Sequence, residues 1–209
     1  MVSSSPSEDR ERLSNLIRSI AGEQASYFAG NLLREFGALQ AVMGGDHERI
    51  AQISNRDIAD LVTSAWSTCR LALRQILESR PVISTSQALI DYLRSEMAFL
   101  PNEEVHVLFL TSRLRLITER VIARGNGREA AIRPRVITAL AKNLGATGII
   151  IVHNHPSGDP EPSCADKQAT LKLDQICQEN GIRLLDHLII SRSGWVSIRA
   201  AGHLEQTDP

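Results

Sequence analysis

The first 80 residues carry apolar side chains three and four positions apart, the spacing of helices that bury one face. Gly37 and the pair Gly44 and Gly45 stand where these helices are expected to end, because glycine readily adopts the left-handed conformation of a helix C-terminus. The pattern predicts a small all-helical domain over residues 1–80. Its first eight residues are predicted to be disordered. The helical segments are DRERLSNLIRSI, QASYFAGNLLREFGAL, HERIAQI and RDIADLVTSAWSTCRLALRQILESR.

The pattern changes after Pro101, where short apolar runs predict strands. Helical spacing returns between them, in a segment that Ser84 is expected to cap and in two later ones. Strands and helices that intermix in this way indicate an α+β (mixed α/β) domain, predicted over residues 82–203, with helices flanking its sheet. The strands are EVHVLFLT, LRLITERVIA, TGIIIVHNH, IRLLDHLIIS and GWVSIRA, and the helices are SQALIDYLRSEM, RPRVITALAKNLG and SCADKQATLKLDQICQENG.

Composition narrows the class of protein. The 209 residues are 43% hydrophobic and 22% charged, as in globular chains, and the net charge of -1 gives no general attraction to nucleic acid or to anionic membranes. We find no secretory signal pattern and no apolar run of about 18 residues, so we expect a cytoplasmic protein without a membrane span. The three cysteines form no CxxC pair and are expected to be reduced.

Residues 153–166, HNHPSGDPEPSCAD, hold the candidate chemistry. Residues i and i+2 of a strand point to the same side, so His153 and His155 can offer both imidazoles to one point. Ser163 then begins a helix whose first turn carries Asp166. Two imidazoles and one carboxylate would hold Zn²⁺ and leave a fourth position for water, as in catalytic zinc sites.

A second interpretation needs no metal. Ser163 and Asp166 also fit the capping box that opens many helices, and the histidines could belong to an ordinary turn after a buried strand. For Ser163 and Asp166 taken alone, capping is the favoured interpretation. The two histidines and the nearby carboxylate taken together favour the metal site.

The pattern HxHx₇SxxD, with RPR upstream and LLDHLII downstream, resembles the JAMM signature of JAB/MPN metallopeptidase-like domains, and most of all the bacterial RadC family. The resemblance covers residues 84–203. It implies zinc bound by His153, His155, Asp166 and a water molecule, with Ser163 donating a hydrogen bond to the oxyanion of the reaction. It also implies an upstream glutamate as general base and acid, and hydrolysis of a peptide or isopeptide bond in a peptide or protein substrate.

Two adjacent residues, Glu103 and Glu104, are candidates for that glutamate. Aligning VLFL with the first strand of the family places it at Glu103. Strand alternation puts Glu103 on the face of Val105 and Glu104 on the face of His106. We favour Glu103, and the other glutamate is then a solvated carboxylate at the strand entrance.

The resemblance also raises DNA binding by the first 80 residues as a possible function. RadC-like proteins carry a helix-hairpin-helix with a glycine-containing hairpin, whereas AQISNRDIADL occupies the corresponding region without glycine. Residues 1–80 contain nine Arg, no Lys and ten acidic residues, so we do not expect this half to bind DNA. The alternatives to a hydrolase are a DNA-associated RadC-like protein of repair or recombination, and a non-catalytic MPN interaction module.

An arginine-rich stretch bears on the DNA-associated alternative. Seven arginines lie between Arg113 and Arg135, against Glu119 and Glu129, for a local net charge of +5. The stretch is either a solvated face or a surface for an acidic partner or for DNA phosphates.

Overall fold

A computed structural model describes residues 5–125, 132–202 and 204. The chain divides into two compact units, Met1–Ala72 and Leu73–Pro209. Within the described residues, no helix is both long enough and apolar enough to cross a membrane.

The first unit is helical. A 3₁₀ turn at Gly22–Gln24 joins its first two helices, and Gly37, with φ of 81°, ends the second in the left-handed conformation. Ser5 and Glu8 form a capping box, so the prediction of disorder was wrong for residues 5–8. The core consists of fully buried side chains, among them Leu13, Ile17, Leu32, Ile50, Ile58 and Val62. The helices are α1 (Pro6–Ala21), α2 (Ala25–Phe36), α3 (Leu39–Met43), α4 (His47–Ile53) and α5 (Arg56–Ser79), the last of which ends in the second unit.

The second unit is a five-stranded mixed sheet with helices on both faces, which confirms the predicted α+β class. The strand order is β2-β1-β3-β4-β5, and β3 and β4 are parallel whereas the other neighbours are antiparallel. The strands are β1 (Glu104–Leu110), β2 (Leu116–Arg124), β3 (Gly148–Asn154), β4 (Arg183–Ile190) and β5 (Trp195–Ser197). The helices are α6 (Gln87–Met97), α7 (Pro134–Asn143) and α8 (Cys164–Glu179).

The central strands β1 and β3 are buried on both faces, which explains their nearly continuous apolar sequences. On one face, Phe109 and Ile151 pack with Ile137 of α7 and Leu173 of α8. On the other face, α6 covers the alternate residues of the same strands. His153, two residues after Ile151 on β3, therefore has its side chain on the face that α7 and α8 cover.

Two local predictions were wrong. Helix α6 begins after Ser86 and not after Ser84, and Ser86 makes no capping hydrogen bond through its side chain. The predicted strand GWVSIRA stops at Ser197, because its hydroxyl accepts a hydrogen bond from the N–H of Ala200 at 2.9 Å and turns the chain.

Candidate metal centre

The two histidines lie at the end of β3. His153 pairs with Val105 across the sheet and is 1% exposed, so its ring enters the buried side. His155 follows the strand, and its N–H donates to the carbonyl of Ile190 at 2.8 Å, which continues the pairing with β4. The Nε2 atoms of the two rings are 2.9 Å apart. The strand therefore brings both imidazoles to one point.

Asp166 reaches the same point from the first turn of α8. Its Oδ1 lies 3.2 Å from Nε2 of His153, and its Oδ2 lies 3.6 Å from Nε2 of His155. Ser163 holds Oδ2 through its backbone N–H at 2.8 Å and its hydroxyl at 2.6 Å, while its Oγ accepts from the N–H of Asp166 at 3.1 Å. The capping box is thus present, and it orients the carboxylate toward the histidines.

These three residues fit a metal site. Ligand atoms of His153, His155 and Asp166 lie within 4.8 Å of one another, the one such group of His, Cys, Asp or Glu found among the described residues. Two imidazole nitrogens and a carboxylate oxygen are ligands that zinc accepts. Nδ1 of His155 lies 2.8 Å from the carbonyl oxygen of Asp159, which can only accept. When the ring is neutral, its proton is therefore on Nδ1, and Nε2 is left for a metal.

The charges at the site also suit a cation. Burial lowers the pKa of His153 to about 4, which keeps this imidazole neutral. Burial by itself raises the pKa of Asp166, but the neighbouring ring of His155 and the hydrogen bonds from Ser163 leave it well below its usual range. The nearby carboxylate of Asp166 raises the pKa of His155. An ionised carboxylate therefore faces a neutral buried imidazole.

The two candidate glutamates interact with different residues. Glu103 is half-buried, and its negative charge is one of the causes that raise the pKa of His155. Glu104 instead accepts a hydrogen bond from Nε of Arg124 at 3.0 Å and contacts Nε2 of His106 at 3.1 Å. Of the pair, Glu103 is thus the glutamate whose charge acts on a proposed metal ligand.

Asn154, between the two histidines, makes contacts that sequence reasoning missed. Its side chain is 1% exposed, its Oδ1 accepts from the N–H of Glu104 at 2.8 Å, and its Nδ2 donates to the carbonyl of Asn102 at 3.1 Å. These bonds fix the segment around Glu103 to the strand that carries the histidines. Strand alternation indicated that Asn154 faces away from them, but it gave no partner.

Two buried residues contact His153 directly or through a neighbour. Nε2 of His187 on β4 lies 2.7 Å from Nδ1 of His153, and Nδ1 of His187 lies 2.6 Å from Oγ1 of Thr170. Sequence reasoning missed Thr170. The sequence feature that could have identified Thr170 is its position four residues after Asp166, which places both residues on the same face of α8.

The arginine-rich stretch is partly engaged within the second unit. Arg115 donates to the carbonyl of Ser79 at 3.0 Å, and Arg124 pairs with Glu104. Arg128 and Glu129 lie outside the described residues. Binding of an acidic partner or of DNA stays a prediction for this surface. The exposed arginines are Arg113, Arg120, Arg124, Arg133 and Arg135, as well as Arg115.

Comparison with known proteins agrees with the resemblance seen in the sequence. The family description RadC-like JAB domain matches residues 83–203. A UPF0758 protein of Ruegeria pomeroyi is 36% identical over 192 residues, which cover 90% of this chain and 85% of the relative. A UPF0758 protein of Rhodobacter capsulatus is 35% identical over 192 residues, covering 90% and 89%. One of Leptothrix cholodnii is 33% identical over 199 residues, covering 94% and 90%.

Proposed function

Because this chain belongs to the family of RadC-like JAB domain proteins, we propose that it is a zinc-dependent hydrolase of the JAMM type that cleaves a peptide or isopeptide bond. The observation that carries the proposal is the convergence of His153, His155 and Asp166, whose ligand atoms lie within 4.8 Å of one another. These three residues would hold the metal. A bound zinc ion would polarise the scissile carbonyl and lower the pKa of a water molecule toward about 7.

Glu103 is the proposed general base and acid. Glu103 takes a proton from the attacking water and passes it to the leaving amine. A carboxylate can transfer the proton in this way because it lies on a different segment from the proposed metal ligands. Its effect on the pKa of His155 supports a position beside the metal ligands. The bonds from Asn154 to Asn102 and Glu104 hold its backbone in place on both sides.

Ser163 is the proposed hydrogen-bond donor to the oxyanion that forms on the substrate. Its hydroxyl donates to Oδ2 of Asp166 at 2.6 Å, and its backbone N–H donates to the same oxygen at 2.8 Å. When the hydroxyl turns toward a substrate, the backbone N–H still holds the carboxylate. Ser163 can therefore serve the helix cap and the reaction.

The three metal-binding residues also weigh against a non-catalytic interaction module, since such modules typically lose ligands. DNA binding has weaker support, because the first 80 residues carry slightly more acidic than basic residues. The exposed arginines between Arg113 and Arg135 are its remaining basis. A DNA mobility shift that weakens steeply with salt would favour that function.

The test is metal content combined with hydrolysis. Purified protein loaded with zinc is expected to retain stoichiometric zinc after dialysis and to cleave peptide or isopeptide substrates. Asp166→Asn is expected to lose both zinc and activity, because it removes the one anionic ligand. Glu161→Gln is the matched control, since Glu161 is an exposed carboxylate of the same loop. Its zinc content and activity are expected to equal those of the wild type.

Two outcomes would contradict the proposal. Zinc that is retained equally by Asp166→Asn would place the metal elsewhere. Zinc-loaded wild-type protein that leaves a broad panel of peptide and isopeptide bonds intact would argue for a binding role.

A further inference from the structure

The ring of His153 is held by a second imidazole. Its Nδ1 lies 2.7 Å from Nε2 of His187, a fully buried residue of the neighbouring parallel strand β4. Metal-binding histidines usually donate their other ring proton to a carboxylate, a carbonyl or water. An imidazole nitrogen can instead be donor or acceptor. The proton position on His153 therefore depends on what fixes the proton on His187.

Thr170 fixes it. Its Oγ1 donates to the backbone carbonyl of Asp166 at 2.6 Å and lies 2.6 Å from Nδ1 of His187. A carbonyl oxygen only accepts and a hydroxyl has one proton, so Thr170 can only accept from His187. Nδ1 of His187 therefore carries the proton.

The effect passes to the metal site. Burial favours the neutral form of His187, and a neutral ring protonated at Nδ1 has an acceptor at Nε2. His153 must then donate to it from Nδ1. The lone pair of His153 is left on Nε2, which faces Oδ1 of Asp166 at 3.2 Å and Nε2 of His155 at 2.9 Å.

We propose that Thr170 and His187 are positioning residues, whose hydrogen bonds hold His153 in the form that presents the lone pair of Nε2 to the metal. This inference rests on the proposed zinc site. It assigns the orientation of one metal ligand to two residues that do not touch the metal. The chain of bonds begins at the backbone of Asp166, so the same turn of α8 supplies one ligand and orients another.

The first test uses the metal-free wild-type protein and no variant. Long-range ¹H–¹⁵N correlation spectra of the imidazoles distinguish a protonated ring nitrogen from one with a free lone pair. We expect His187 and His153 both to be protonated at Nδ1 when their rings are neutral. A proton on Nε2 of His187 would overturn the inference.

The second test compares two substitutions of Thr170. Thr170→Val removes the hydroxyl while keeping the shape of the side chain, and Thr170→Ser keeps the hydroxyl. Zinc affinity, measured by competition with a chromophoric chelator, is expected to fall about tenfold or more in Thr170→Val. We expect a change of about twofold at most in Thr170→Ser, where the hydrogen bonds remain.

The variants are also compared in the metal-free state. The spectrum of His187 is expected to change in Thr170→Val and to be preserved in Thr170→Ser, a difference that loss of packing alone would not produce. Equal zinc affinity in Thr170→Val and the wild type would overturn the positioning role. Equal losses in both variants would overturn it as well, because the hydroxyl would then not matter.

The two proposals can fail separately. Wild-type protein that binds zinc but hydrolyses no substrate would refute the proposed function and leave the role of Thr170 and His187 intact. A proton on Nε2 of His187 in an active zinc enzyme would refute that role and leave the function intact.

Discussion

Oδ1 of Asn154 lies 2.8 Å from the backbone nitrogen of Glu104 and accepts its hydrogen bond. The residue between the two proposed metal-binding histidines thus holds the strand entrance that carries the proposed base. Asn154→Ala would leave the half-buried N–H of Glu104 and the carbonyl of Asn102 without this partner. We expect a loss of about 1–3 kcal/mol in the free energy of unfolding.

The same substitution is expected to lower kcat more than zinc affinity, because it releases the segment around Glu103 and leaves the ligands unchanged. Chemical denaturation, zinc competition and steady-state kinetics measure the three quantities. Gln175→Ala is the control. Gln175 is an exposed residue of α8, and its side chain donates a hydrogen bond to Glu179 of the same helix. Unchanged kcat in Asn154→Ala would show that the bonds serve stability alone.

The adjacent glutamates give a matched pair of variants. Glu103→Gln is expected to lower kcat by about 100-fold or more, the usual effect of removing a general base, with zinc affinity retained. Glu104→Gln is expected to keep kcat near the wild-type value but to lose about 1–2 kcal/mol of stability, because it weakens the bonds to His106 and Arg124. A larger loss of kcat in Glu104→Gln than in Glu103→Gln would reverse the assignment.

Two roles of Ser163 can be separated by substitution. Ser163→Ala removes the cap of α8 and is expected to cost about 1 kcal/mol of stability. If Ser163 also donates to the oxyanion, kcat at saturating zinc falls by about 100-fold. Ser163→Thr keeps a hydroxyl and is expected to retain most of both. A destabilised Ser163→Ala with normal kcat would leave Ser163 as a helix cap only.

The sequence predicted the layered α+β fold because its local patterns agree with its tertiary structure. Strands β1 and β3 read as continuous apolar runs, and they are buried on both faces. The approach of His153 and His155 could likewise be predicted, since it needs only strand periodicity. The capping pattern of Ser163 and Asp166 was visible, but its compatibility with a metal site was not. That depends on where the start of α8 meets the end of β3.

The contacts of His187 could not be predicted, because they depend on the register between β3 and β4. Ile149 pairs with Leu184, whereas Ile150 pairs with Asp186, so Leu185 is an extra residue on β4. If Leu185 instead paired with Ile150, His187 would pair with Val152 and face the other side of the sheet. Sequence periodicity does not reveal such a bulge. The bulge places His187 on the face of the sheet where its Nε2 lies 2.7 Å from Nδ1 of His153.

A second charged cluster, on the α6 side of the sheet, predicts a pH-dependent stability. Nδ1 of His106 contacts Oε1 of Glu119 at 2.7 Å, and Tyr92 donates to the other oxygen of Glu119 at 2.5 Å. Burial alone would lower the pKa of His106, but Glu119 and Glu104 raise it above its usual value. Burial alone would raise the pKa of Glu119, but His106 and Tyr92 bring it below its usual value.

The sign of the pH effect follows from these directions. The raised pKa of His106 contributes stability that is complete below the unfolded value of about 6.5 and is lost as the pH rises through the folded value. The lowered pKa of Glu119 contributes stability that is complete above about 4.5 and is lost as the pH falls through its folded value. The cluster therefore stabilises the fold most between about pH 4.5 and pH 6.5.

His106→Gln tests this window. It removes the cation between two carboxylates, and we expect a loss of about 3 kcal/mol in the free energy of unfolding near pH 6. The loss should shrink as the pH rises through the folded pKa of His106, because the wild type then also lacks the cation. His47→Gln is the control, since His47 forms an exposed pair with Asp60 at 2.7 Å that is worth about 1 kcal/mol or less. A loss in His106→Gln that is constant between pH 5 and pH 9 would show that His106 acts through hydrogen bonding and packing and not through its charge.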